Sequence, residues 1–190
     1  MPVALLAYHY GPGQDKLRTD ELSQISDAIN HYTDQQDWNR VIELADKAAE
    51  FLPENSQHLS RQLRLTKAHA QMFSKQLPEA NATLMALVDE MEDDTAADTA
   101  QLDSARSALA NSQYYMTWLM RLEGTDRTEW EPFIESSRQQ YKLLAENGSP
   151  DTLPEITKEA ALEHLKNLEA TIRLARLDLG DLQGLPLPSQ

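Results

Sequence analysis

The side chains best suited to catalysis or metal binding are few in this sequence, and their spacing fits no standard motif. The chain has five histidines and no cysteine. No histidine follows a glutamate at the three-residue spacing of di-iron carboxylate helices, and no HExxH zinc motif occurs. Gly11-Pro12-Gly13 is too short to be a phosphate-binding loop. The sequence therefore predicts no catalytic residue, no metal site and no cofactor.

Acidic groups dominate the charge of the chain, with 31 Asp and Glu against 17 Lys and Arg and a net charge of −14. This charge repels nucleic acids and anionic membranes, so a basic protein or peptide is the expected partner. Five of the six residues from 89 to 94 are acidic, which predicts a solvated helix end or a site for a basic partner or a cation. No apolar stretch has the length of a secretion signal or a membrane span, so a cytoplasmic protein without membrane insertion is expected.

The histidines and the acidic residues are predicted to lie mostly on helices, because apolar residues recur every three or four positions along most of the chain. The predicted helices cover about 20–35, 37–52, 55–73, 78–92, 95–123, 128–146 and 154–178. Residues 1–18 are predicted to form an irregular arm, since Gly11-Pro12-Gly13 is a strong turn signal. Residues 180–190 contain two glycines and two prolines and are predicted to form an extended tail.

Residues 22–55 hold an ordered series of large, small and aromatic residues across two of these helices. The matching positions are Ile25, Ala28, Ile29, Tyr32, Gln36-Asp37-Trp38, Val41, Ala45, Ala48 and Pro53. In this order the segment resembles a tetratricopeptide repeat, a helix–turn–helix unit of about 34 residues. Small residues let the two helices approach closely, aromatic residues fill the hairpin, and proline stops the second helix.

A second, looser copy covers 61–94, and 95–146 keeps only the outline of a third. The resemblance implies an all-α fold of antiparallel helix hairpins, stacked as a tetratricopeptide-like α-solenoid with a C-terminal capping helix. The implied helical domain spans 19–179, with hairpins at about 20–53, 55–92 and 95–146 and the capping helix at about 154–178. A closed helix bundle is the alternative architecture.

The resemblance also implies a concave groove, lined by the first helix of each repeat, that binds a peptide or a partner surface. The partner-binding residues implied by the matching positions are Asn30, Thr33, Asp34, Gln62, Thr66, His69 and Phe73, with Ser26 and Leu65 on the same helix faces. Ser26 stands where chaperone-binding members have a lysine, and Thr66 where they have a second asparagine. A clamp for a terminal carboxylate is therefore not expected.

The function expected from these features is that of a non-catalytic adaptor. One alternative is a structural subunit of a homo- or hetero-oligomer that assembles through the aromatic side of the helix predicted at about 95–123, around Tyr114 and Trp118, and through the tail at 180–190. Another is a helical enzyme or small-ligand binder, which would need a closed apolar cavity with convergent polar groups.

Overall fold

The computed structural model describes residues 12–53, 55–147, 155–178 and 181–182, with side chains from 18–53, 55–146, 159–178 and 181–182. Within these ranges the chain forms seven α-helices and no β-strand, which confirms the predicted all-α class. The helices are α1 (Pro12–Asp34), α2 (Trp38–Glu50), α3 (Gln57–Phe73), α4 (Leu77–Glu92), α5 (Thr99–Leu122), α6 (Arg127–Asn147) and α7 (Glu155–Arg176). No helix in the described part of the chain combines the length and the apolar composition that a membrane span requires.

The first helix begins earlier than the sequence suggests. Pro12 is the first residue of α1, so the prediction of an irregular arm is wrong for residues 12–18. Proline suits this position because the first turn of a helix has no intrahelical acceptor for its amide. The rest of the predicted arm, residues 1–11, lies outside the described residues, as do 180 and 183–190 of the predicted tail.

Contacts divide the chain into two compact units, an N-terminal unit over residues 1–76 and a C-terminal unit over 77–190. In the N-terminal unit α2 runs antiparallel to both α1 and α3. Lys47 near the end of α2 contacts Glu21 in the first half of α1 at 3.3 Å. Trp38 at the start of α2 stacks on Phe73 at the end of α3, with ring centroids 4.7 Å apart. The shared core consists of Ile25, Ile29, Val41, Leu44, Ala48 and Ala70.

In the C-terminal unit each helix runs antiparallel to the one before it. The Ser112 hydroxyl in the second half of α5 donates to Asn81 Oδ1 near the start of α4 at 3.3 Å, and Arg121 at the end of α5 lies over the ring of Trp130 near the start of α6, 4.9 Å from its centroid. One core cluster joins α5, α6, α7 and the residue Leu182 beyond α7; its buried members are Tyr114, Trp130, Ile134, Leu174 and Leu182. The beginning of the predicted tail therefore packs into the core.

Three helices end in the same kind of turn, with one residue in the left-handed conformation. These residues are Gln36 (φ 58°) after α1, Lys75 (φ 65°) after α3 and Gly124 (φ 77°) after α5. In each turn the following amide donates to the carbonyl five residues back, at 2.9, 3.0 and 2.9 Å respectively. This is the Schellman arrangement, in which glycine is favoured because a Cβ is strained at positive φ.

We expect Gln36→Gly and Lys75→Gly each to raise the free energy of unfolding by about 1 kcal/mol, because both remove a strained Cβ. The reverse change, Gly124→Ala, should lower it by a similar amount. A Cβ at Gly124 would meet no atom within 4 Å, so only backbone strain is introduced there. Urea unfolding of the three variants measures these effects; a stabilising Gly124→Ala would contradict the argument.

His164 of α7 lies in a polar part of the C-terminal interior. Its ring faces Tyr141 of α6 at a centroid distance of 6.4 Å, and no described residue hydrogen-bonds its buried Nδ1. Desolvation by burial lowers its pKa below the usual value of 6.5, while the charges of Glu163 and Asp103 oppose this shift. The folded state therefore favours the neutral imidazole.

The lowered pKa of His164 predicts a loss of stability in acid. The unfolded chain binds this proton more tightly, so stability should fall as the pH drops through 6.5 toward the folded pKa. His164→Gln should reduce the slope of the stability profile between about pH 7.5 and 5.5, and His69, whose pKa is also lowered, accounts for part of the slope that stays. His31→Gln, at an exposed histidine, is the control. Thermal unfolding across this range tests the prediction, and an equal slope in His164→Gln and the native chain would refute it.

Candidate functional site

A cleft of about 280 Å³ opens within the N-terminal unit between α1, α2 and α3. The residues that line it are Leu22, Ser26, Ile29, Asn30, Ala48, Leu52, Leu59, Gln62, Leu63 and Thr66. Six of the ten are apolar, and the other four have a hydroxyl or a carboxamide. The cleft thus offers apolar walls together with neutral hydrogen-bonding groups.

Helical periodicity places these residues on facing surfaces. On α1, Leu22, Ser26 and Asn30 follow one another at four-residue spacing, so they share one face. On α3, Leu59 and Leu63 are also four residues apart, and so are Gln62 and Thr66. Because α2 is antiparallel to both, α1 and α3 run in the same direction. Ala48 of α2 and Leu52, which follows the end of α2, complete the cleft. Ala48 is buried and lacks a long side chain, which leaves room above it.

The cleft brings together three of the seven predicted partner-binding residues, Asn30, Gln62 and Thr66, and adds Ser26. Thr33 and Asp34 are exposed near the end of α1 but do not line it. Leu65 was expected on the same face of α3, and this is wrong: it is 4% exposed and belongs to the interior.

His69 and Phe73 continue the exposed face of α3 beyond Thr66, and neither lines the cleft. His69 is open to solvent, yet the surrounding protein desolvates it enough to lower its pKa. Phe73 is 42% exposed and stacks on Trp38. These two side chains extend the candidate surface toward the start of α2, because Trp38 begins that helix.

The chemistry available in the cleft is hydrogen bonding without charge. None of the described residues that line it is Asp, Glu, Lys, Arg or His. The Thr66 hydroxyl donates to Gln62 O at 2.9 Å, so its oxygen is left to act as an acceptor. Asn30 is exposed and its carboxamide can both donate and accept. The arrangement is suited to holding neutral groups in place.

The acidic charge of the chain is unevenly distributed. Residues 1–76 contain ten acidic and eight basic residues, whereas 77–190 contain 21 and nine. The acidic run at 89–94 closes α4, and within it Glu92 pairs with Arg106 at 2.9 Å while Met91 is buried. The described residues include no group of three or more His, Asp or Glu arranged to hold a metal ion. The overall acidity is therefore a property of the C-terminal unit, and the unit with the cleft is nearly balanced.

Sequence reasoning did not identify the apolar walls of the cleft, Leu22, Leu52, Leu59 and Leu63. The leucines in the first half of α1 and α3 could have indicated these walls, because they share a helix face with Ser26 and Gln62. The sequence did not decide whether the aromatic side of α5 belongs to the core or to an interface. In the structure Tyr114 is fully buried, and burial raises its pKa to about 12.

Comparison of the chain with protein-family models, with curated proteins and with solved structures found no match.

Proposed function

We propose that this protein is a non-catalytic adaptor that binds a segment of a partner protein in the cleft between α1 and α3. The observation that supports this most directly is the cleft itself, where Ser26, Asn30, Gln62 and Thr66 surround an apolar interior. These are the positions at which tetratricopeptide-like repeats would present groove residues. The absence of charged groups among the described lining residues favours binding over acid–base catalysis.

The proposed architecture is a tetratricopeptide-like α-solenoid in which α7 is the capping helix. The recurrence of one turn type after α1, α3 and α5 supports a repeated helix–turn–helix plan. The packing of α7 against α6, and the bonds from Arg121 to the carbonyls of Leu174 and Leu177, suit a terminal helix that covers the preceding pair.

The partner expected from the net charge alone was basic, and the charge distribution refines this expectation. A basic surface would be attracted to the C-terminal unit, where acidic residues outnumber basic ones by more than two to one. The cleft lies in the N-terminal unit and has no charge among its described lining residues. The cytoplasmic location stays a prediction of the sequence.

Site-specific photo-cross-linking in native cells tests the adaptor function. A photoreactive residue replaces Ser26 in the cleft, and in a control it replaces Gln24, which is also exposed on α1 but does not line the cleft. Two residues along a helix turn by about 200°, so position 24 points away from the cleft. We expect a defined partner to be captured from position 26, with the cross-link mapped to one segment of it, and not from position 24. Capture of the same proteins from both positions, or of none, would refute the adaptor function.

A second candidate function is self-assembly through α7. Leu162 and Leu165 on this helix are 56% and 46% exposed, although a capping helix needs a polar outer face. If they form an interface between copies, sedimentation should show a mass that rises with concentration, and Leu162→Glu with Leu165→Glu should abolish that rise. A native chain that stays monomeric would exclude this candidate.

A further inference from the structure

Resting on the proposed adaptor function, we infer the chemistry of the segment that the cleft binds. The geometry points to an extended stretch of partner chain that inserts one uncharged aliphatic side chain, of about leucine size, between α1 and α3. Its adjacent main-chain amide groups pair with the carboxamide of Asn30 and the hydroxyl oxygens of Ser26 and Thr66.

The walls of the cleft favour an aliphatic side chain. Leu22 and Ile29 of α1 face Leu59 and Leu63 of α3, and Ala48 lies beneath them. Leu59 is half exposed in the free protein, so an inserted apolar group would remove its surface from water. Burial of apolar surface is thus the main favourable contribution to binding.

The absence of charge excludes a charged side chain as the preferred occupant. An ammonium or carboxylate group in the cleft would lose water without gaining an ionic partner among the described lining residues. Two lysines of the N-terminal unit are already engaged in ion pairs, since Lys47 pairs with Glu21 at 3.3 Å and Lys67 with Asp46 at 2.6 Å. The near balance of charge in the N-terminal unit likewise provides little attraction for an ion.

The polar rim favours an extended segment over a helical one. Amide groups of an extended peptide need hydrogen-bonding partners when they lie against apolar walls, whereas a helix satisfies its own. Asn30 can donate and accept, and the Thr66 oxygen can accept. The volume of about 280 Å³ accommodates one or two aliphatic side chains and lies just below the range of about 300–1,000 Å³ typical of small-molecule sites.

The test uses capped amino acids that differ only in the side chain. The probes are the N-acetyl methylamides of leucine, lysine and aspartate, titrated into the full chain with ¹³C-labelled methyl groups. We expect the leucine probe to shift the methyl signals of Ile29 and Leu63 with a millimolar Kd. The lysine and aspartate probes should bind at least tenfold more weakly, because each must leave a charge unpaired.

Three variants test the location and the charge argument. Ser26→Phe fills the cleft from an exposed position and should abolish the leucine-induced shifts, while Gln24→Phe, an exposed control outside the cleft, should preserve them. Asn30→Asp adds one negative charge with almost no change of shape. It should move the ratio of lysine to leucine affinity toward lysine by at least threefold.

The outcomes separate this inference from the proposed function. If the lysine or aspartate probe binds as tightly as the leucine probe, or if no probe shifts the cleft methyls, the inferred occupant is wrong. If the probes fail in this way but a partner is still captured from position 26, the adaptor function is supported and only the inferred occupant is wrong. If the leucine probe binds as expected but no partner is captured, the inferred chemistry stands and the adaptor function falls.

Discussion

Replacing Leu182 with alanine is expected to lower the free energy of unfolding by about 3 kcal/mol, the range observed when a fully buried leucine is truncated in a core. Leu182 is 1% exposed and packs with Tyr114, Trp130 and Leu174. Its carbonyl also accepts a hydrogen bond from Trp118 Nε1 at 3.5 Å. Urea unfolding followed by tryptophan fluorescence measures the change directly, because Trp118 and Trp130 adjoin the cavity that the variant creates.

The matched control is Leu143→Ala, since Leu143 of α6 is 40% exposed and lies outside the α7 surface considered for self-assembly. Its loss should change stability by no more than about 0.5 kcal/mol. Equal losses in the two variants would show that Leu182 is not a core residue in solution.

The packing of Leu182 also affects the design of tail deletions. Removing residues 180–190 also removes Leu182, so a loss of assembly after that deletion would not by itself identify the tail as a contact.

Replacing Arg121 with alanine is expected to cost about 2–3 kcal/mol of stability, because one guanidinium makes several contacts in a partly buried place. It donates to the carbonyl oxygens of Leu174 and Leu177, at the C-terminal end of α7. It also lies over the Trp130 ring, 4.9 Å from the centroid. Burial desolvates Arg121 and lowers its pKa, and the charge of Asp178 opposes this shift.

Arg127→Ala is the matched control for Arg121. Arg127 also lies over Trp130, at 5.8 Å, but its side chain is 70% exposed and pairs with Glu131 one turn away on the same helix. Exposed pairs of this kind contribute about 0.3–0.5 kcal/mol, so the control should be nearly neutral. Hydrogen exchange adds a local measurement. Arg121→Ala should lower the protection of the backbone amide hydrogens in α7 more than in the rest of the C-terminal unit. Equal effects of the two substitutions would refute the role assigned to Arg121.

The order and type of the helices could be predicted from local spacing. Seven predicted helices correspond to seven in the described part of the chain, because apolar residues at three- and four-residue intervals define a helix face whatever it packs against. The turn at Gln36-Asp37-Trp38 was predicted from the resemblance to the repeat, and the structure shows Gln36 at positive φ and the Asp37 side chain accepting from Arg40 N. The start of α1 was missed because Gly11-Pro12-Gly13 suggests a turn, while proline is also accepted in a first helical turn.

Part of the candidate site could be predicted in the same way. Asn30, Gln62 and Thr66 follow from helix periodicity combined with the repeat resemblance, and they do line one cleft. Leu65 was misplaced because a neighbouring position on a helix points about 100° away, which is enough to move a side chain from the groove to the core. Phe73 was placed on the correct helix, but its stacking on Trp38 depends on how α2 and α3 cross.

The sequence by itself determined the all-α class, the seven helices and the polar face of α1 and α3, because all of these depend on residues within a few positions of one another. Only the tertiary structure decided the depth of the cleft over Ala48, the burial of Leu182 and the attachment of α7 by Arg121. Each of these joins residues that lie far apart along the chain. Such contacts depend on how helices pack, and that packing is set by the fit of whole surfaces, which no local pattern encodes.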